Sequence, residues 1–146
     1  MTTPDPLRQT LEAVLERVVE RVGDPAPRVY EQLFAATPSL RALFVNDPRG
    51  SVRGEMFYRA VEALLDVAGD RPYAHGLIAA ECVNHQGMGV TTQQFASLFD
   101  AMGVVFRQAL GDDWTEDIEL AWHANLARVN RITALCAGSA GDAGDA

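Results

Sequence analysis

Apolar residues recur along this chain at intervals of three and four, and the breaks between runs fall on glycine, proline and aspartate. In the first run Leu7, Leu11, Val14, Leu15, Val18 and Val22 fall on one helical face. Asp5 is placed to cap that helix, Pro6 suits its first position, and Gly23-Asp24-Pro25 stops it. The spacing predicts a second helix from Pro25 or Pro27 carrying Tyr30, Leu33 and Phe34. Thr37-Pro38 then opens a short helix with Leu40, Leu43 and Phe44. Asn46-Asp47-Pro48-Arg49-Gly50 has the composition of a loop.

Ser51 is the expected cap of the next helix, whose apolar positions Met56, Phe57, Ala60, Val61, Leu64 and Leu65 form a stripe wide enough to face a core. Gly69-Asp70-Arg71-Pro72 ends it. Another helix is expected from Tyr73 to about His85, with Leu77, Ile78 and Cys82 on its apolar side and Gly87 and Gly89 breaking it. Thr91 and Gln94 have the spacing of a capping box, and a long helix follows to about Leu110. Gly111-Asp112-Asp113 is a turn. Thr115 caps the last helix, Glu116 and Asp117 suit its first turn, and Leu120, Leu126, Val129 and Ile132 continue it. No stretch alternates with period two. The expectation is an all-α fold of about seven helices, one very short, in a single domain over 1–137. The Gly/Ala/Ser/Asp composition of 138–146 predicts a disordered tail.

Composition narrows the function classes. The chain has 146 residues, 48% of them hydrophobic, enough for one domain with a real core. A net charge of −8 with singly scattered basic residues argues against nucleic acid and anionic membranes as partners. No apolar run reaches the roughly 18 residues of a membrane span. The N-terminus Met-Thr-Thr-Pro-Asp-Pro lacks a signal peptide's pattern, so a cytoplasmic protein is expected. Cys82 and Cys136 show no metal-ligand spacing and read as free buried thiols.

The candidate chemistry centres on His85. Ile78 lies seven residues earlier on the same helical face, and the glycines after His85 let the chain turn sharply and approach a flat ring closely. Taken alone, such a histidine also fits a satisfied core residue. His75 and His123 fit surface or core roles; His75 does not share a face with His85.

Three motifs in order carry a resemblance. Val29-Tyr30-Glu31-Gln32-Leu33-Phe34 with Pro38, Leu40 and Phe44 is similar to the Tyr-x-x-x-Phe-x-x-x-Pro-x-Leu-x-x-x-Phe pattern of bacterial single-domain globins and of flavohaemoglobin haem domains. His85-Gln86-Gly87-Met88-Gly89-Val90 resembles their His-x-x-x-Gly-Val element. Leu110-Gly111-Asp112, Trp114-Thr115 and Ala121-Trp122 resemble the junction of their last two helices. The match runs from about Leu7 to Ile132. It implies a globin fold around one haem b, with His85 as the iron's proximal ligand and Phe44, Phe57, Met88, Val90 and Phe95 as cofactor contacts. It also implies Tyr30 as the distal hydrogen-bond donor to a diatomic gas, O₂, NO or CO. Anchoring Phe57 and Val61 on the family's apolar positions puts Arg53 where many globins carry Gln or His; a one-residue shift would nominate Val52 or Gly54. Arg53 could equally turn outward to a haem propionate.

Two departures from the family's pattern bear on chemistry. The Tyr and Glu that polarise the proximal histidine in flavohaemoglobins are matched by Phe95 and about Ala137, so polarisation of His85 comes from a backbone carbonyl or does not occur. Glu81, one turn before His85, stands where the family usually has Leu or Ile; a carboxylate there must face solvent or be paired. The 146 residues contain no flavin or nicotinamide domain, so redox turnover such as NO dioxygenation calls for an external reductase. The leading expectation is a gas-binding globin. Two alternatives stand beside it: a haem pseudoperoxidase using Arg53, and a haem-free regulatory module whose pocket is filled by side chains. Oligomeric state is open.

Overall fold

The computed structural model describes residues 5–69 and 71–144, with side chains up to 136. Its elements are α1 (Pro6–Val22), α2 (Ala26–Ala36), a 3₁₀ segment (Pro38–Phe44), α3 (Ser51–Ala68), α4 (Pro72–Gly87), α5 (Thr92–Leu110), a 3₁₀ turn (Gly111–Asp113) and α6 (Glu116–Gly144). No strand occurs among the described residues. The all-α reading holds.

The helix starts follow local chemistry. Asp5 Oδ1 accepts from the amides of Leu7 at 2.9 Å and Arg8 at 3.4 Å, satisfying donors that the first turn of α1 leaves free. Thr91 and Gln94 form the reciprocal capping box of α5 at 3.0 Å each way. Thr115 accepts from the Ile118 amide at the start of α6.

At α3 the expected cap is corrected. Ser51 is the first helical residue and its side chain does not cap the helix. Asp47, a buried loop residue, reaches forward to accept from the amides of Val52 at 3.2 Å and Arg53 at 3.0 Å. The carboxylate matches the positive end of the helix, and its longer reach from the loop displaces the shorter serine hydroxyl.

The core is shared by α1, α2, α5 and α6, with Val14, Val18, Val29, Met102, Phe106 and Val129 fully enclosed. Each such apolar side chain contributes about 1.5–3 kcal/mol relative to exposure. α5 is the central element, packed against α1, α2 and α6. Gly103 lets α6 come close: a Cβ there would lie 2.7 Å from Trp122 Nε1. The last carbonyls of α3 are held by its neighbours. Arg8 of α1 donates to Leu65 O, while Asn125 and Arg128 of α6 donate to Leu64 O and Val67 O. These bonds add side-chain donors to carbonyls near the end of α3, and they tie α3 to α1 and α6 as one wall of the interior.

The backbone of α6 stays helical to Gly144. The boundary expected near 137/138 is therefore not marked by a helix end, consistent with the ease of extending a helix already begun. Positions 145–146 of the expected tail, and the side chain of Ala137, lie outside the described residues.

Candidate functional site

Below α3 the helices do not close. A cavity of about 400 Å³ opens between α2, the 3₁₀ segment, α3, α4 and the first half of α5, and its walls are mostly apolar. That size falls within the roughly 300–1,000 Å³ of small-molecule and cofactor pockets.

α4 brings His85 to this cavity. Its buried face is Ala74, Ile78 and Cys82, at helical spacing, and His85 continues the stripe at the wall. The Met88 and Val90 amides both donate to His85 O, and Gly89 takes φ +87°. That left-handed residue reverses the chain so that Val90 comes back under the helix, buried, as part of the cavity wall. Phe95 of α5 packs edge-on to the imidazole, with ring centroids 5.0 Å apart.

The imidazole has a defined hydrogen-bond partner. His85 Nδ1 lies 2.7 Å from Glu81 O, so Nδ1 carries the proton and donates it. Nε2 is then the nitrogen with a free lone pair, the state a metal ligand requires. Among the described residues no cluster of three or more His, Cys, Asp or Glu side chains could hold a bare metal ion. A single imidazole beside an apolar slot suits a metal carried by a planar prosthetic group instead.

α2 contributes Tyr30 to the same cavity. Its ring packs against Phe44, with centroids 5.6 Å apart, and against Phe34 at 6.0 Å. Tyr30 is 2% exposed, and its hydroxyl has no hydrogen-bond partner among the described residues. Burial pushes its pKa well above the ordinary tyrosine value; Arg53 opposes that shift and Asp47 adds to it. The hydroxyl therefore remains protonated and available as a donor. An unpaired buried hydroxyl costs free energy, and one that lines a cavity is suited to a polar ligand atom there.

Of the residues singled out by sequence, Tyr30, Phe44, His85, Val90 and Phe95 come together around the cavity. Three others sit elsewhere. Phe57 is 1% exposed and turned into the core, edge-on to Tyr58 at 5.2 Å. Met88 follows the end of α4 and is 63% exposed, because the chain turns beneath it rather than through it. Arg53 is tied back to the loop: its Nε lies 3.2 Å from Asp47 Oδ2 and its Nη2 donates to Asp47 O at 2.9 Å. The cavity face of α3 is instead Met56, Ala60 and Ala63, with Arg59 and Glu62 beside them. Glu81 and Gln94 also line the wall. Helical spacing alone does not separate these two faces of α3, since one residue turns the helix by about 100°. His75 and His123 lie on the surface, and Cys82 and Cys136 are buried free thiols.

An all-helical protein with one apolar internal cavity, one imidazole in its wall and one unpaired phenol is built to enclose a prosthetic group. The chain belongs to the globin family: the globin family model matches residues 27–132, a span that includes every element lining the cavity. No curated protein and no solved structure gives a match. Members of this family generally hold haem and bind gaseous ligands. Among the described residues no helix is long and apolar enough to cross a membrane.

Proposed function

We propose that the protein is a haem-binding globin that reversibly binds a diatomic gas, O₂ or NO first among them. The observation that carries this reading is Tyr30, which lines the same cavity as His85 and whose buried hydroxyl has no partner among the described residues.

In this reading haem b supplies an iron whose open coordination position takes the gas. His85 holds the iron through Nε2, its ring fixed from behind by the Glu81 carbonyl and from the side by Phe95. Phe44 lies against the macrocycle as an apolar wedge. Val90 covers it from the turn after α4. Arg59 is the guanidinium on the cavity wall, and its exposed side chain suits a propionate once it leaves Glu55. Tyr30 donates a hydrogen bond to the polarised gas. Redox turnover, NO dioxygenation included, draws electrons from a separate reductase.

The pseudoperoxidase alternative needs Arg53 in the cavity, and the Asp47 contacts weigh against that position. The haem-free alternative needs side chains to fill the pocket, and the cavity volume weighs against it. Replacing Tyr30 tests the proposal. Tyr30→Phe is expected to speed O₂ release about tenfold, since one lost hydrogen bond is worth about 1–1.5 kcal/mol. An unchanged off-rate would remove Tyr30 from the distal role.

A further inference from the structure

Glu81 is the charged residue nearest the imidazole in the structure, and its own surroundings do not explain it. Its side chain is 46% exposed, yet it lines an otherwise apolar wall. Among the described residues no arginine or lysine is paired with it, and its Oε2 lies 3.9 Å from His85 Nδ1. The backbone carbonyl of the same residue already accepts the Nδ1 proton at 2.7 Å. Both acceptors thus come from one residue, because a helix places positions four apart on the same face.

We infer that Glu81 is a positioning residue for His85: its carboxylate is a second, anionic acceptor for the Nδ1–H and strengthens the imidazole as a donor through Nε2. This rests on the proposed role of His85 as the iron ligand. At 3.9 Å the carboxylate acts through its charge. A movement of about 1 Å by this half-exposed side chain brings it to direct hydrogen-bonding distance. A carboxylate behind a ligating imidazole fixes its tautomer and orientation and raises its basicity. Among the described residues His85 has no other contact with an acidic side chain within 4 Å, and the other charged side chains that line its cavity, Arg59 and Glu62, stand on α3. α5 presents Phe95 to the ring, and the turn after α4 presents Val90 to the cavity. The consequence is a more electron-rich iron, with the ferric state favoured over the ferrous.

The test is resonance Raman spectroscopy of the ferrous, gas-free, haem-loaded full chain, reading the iron–histidine stretch, with the ferric/ferrous midpoint potential measured on the same samples. Glu81→Gln keeps the shape and removes the charge; Glu81→Leu removes the acceptor as well. The inference predicts a lower iron–histidine frequency and a more positive potential in both variants, larger in Glu81→Leu. A Glu81→Gln protein with the wild-type frequency and potential would overturn it, even if Glu81→Leu differs, because charge would then be irrelevant. Failure of the iron–histidine reading itself looks different: the wild-type protein would show no iron–histidine band, or His85→Ala would leave the band in place.

Discussion

Glu119 at the α5–α6 junction and Tyr30 in the cavity sector are polar side chains used in opposite ways. At the junction three side chains bond to Glu119. Arg107 donates to both its oxygens at 2.9 Å, and Trp114 Nε1 and His123 Nε2 complete the set, the latter at 2.7 Å. Arg107 also lies over the Trp114 ring at 5.3 Å. In the cavity sector the Tyr30 hydroxyl has no hydrogen-bond partner among the described residues. The contrast between tyrosines is equally plain: Tyr58, half-exposed, donates to Asp24 at 2.9 Å, while buried Tyr30 has no acceptor among the described residues. Among the described residues two other buried polar atoms also lack a partner, Trp122 Nε1 and Asn125 Oδ1, both on α6; of the three residues, Tyr30 is the one that lines the cavity.

This comparison can be broken by substitution. The largest effect is expected at Phe57, which lies next to the cavity-facing side of α3 but packs in the core. Phe57→Ala should cost about 3–5 kcal/mol in denaturant unfolding of the haem-free protein. A small loss there would return Phe57 to the cavity as a cofactor contact. Gly103→Ala is next. The added methyl meets the Trp122 indole at 2.7 Å, and overpacking should cost about 1–3 kcal/mol, outweighing the roughly 1 kcal/mol that alanine gains in a helix.

At the junction, Glu119→Gln should cost about 1 kcal/mol at neutral pH, a figure reduced for the partial exposure of the carboxylate. Arg107 first, then Trp114, hold its pKa down to about 2 against an ordinary value of 4.5. A depressed carboxylate stabilises the fold above its unfolded pKa and loses that contribution as pH falls through the folded one. The gap between wild type and Glu119→Gln should therefore narrow from about pH 4.5 and close near pH 2. A gap that is constant over that range would show that Glu119 is not the group that titrates.

The smallest effect has the opposite sign. Tyr30→Phe removes a buried hydroxyl that has no partner, so the haem-free protein should be unchanged or more stable by up to about 1 kcal/mol. Together with faster gas release, this would place the hydroxyl's value wholly in the ligand. Marked destabilisation would mean that it bonds to protein.

The helices were legible because their signals are local. Asp5, Thr91 with Gln94, and Thr115 act within three residues of themselves, and the apolar stripes report their own faces. The cavity was legible where motif and periodicity agreed, as at Tyr30, Phe44, His85, Val90 and Phe95. The rest depends on contacts across the fold. Asp47 caps α3 from outside the helix and draws Arg53 with it. The face of α3 that meets the cavity is fixed by carbonyl contacts from Arg8, Asn125 and Arg128, far apart in sequence. Glu119 gathers Arg107 and Trp114 across the turn between two helices, with no spacing that announces it.

The most direct test of the central claim is a haem titration of the purified full chain followed by absorption, wild type beside His85→Ala. The account predicts a Soret band that saturates at one haem per chain in the wild type, and weak or lost binding with an altered spectrum in His85→Ala. A wild-type chain that develops no Soret band with added haem, or a His85→Ala chain with wild-type affinity and spectrum, would contradict it.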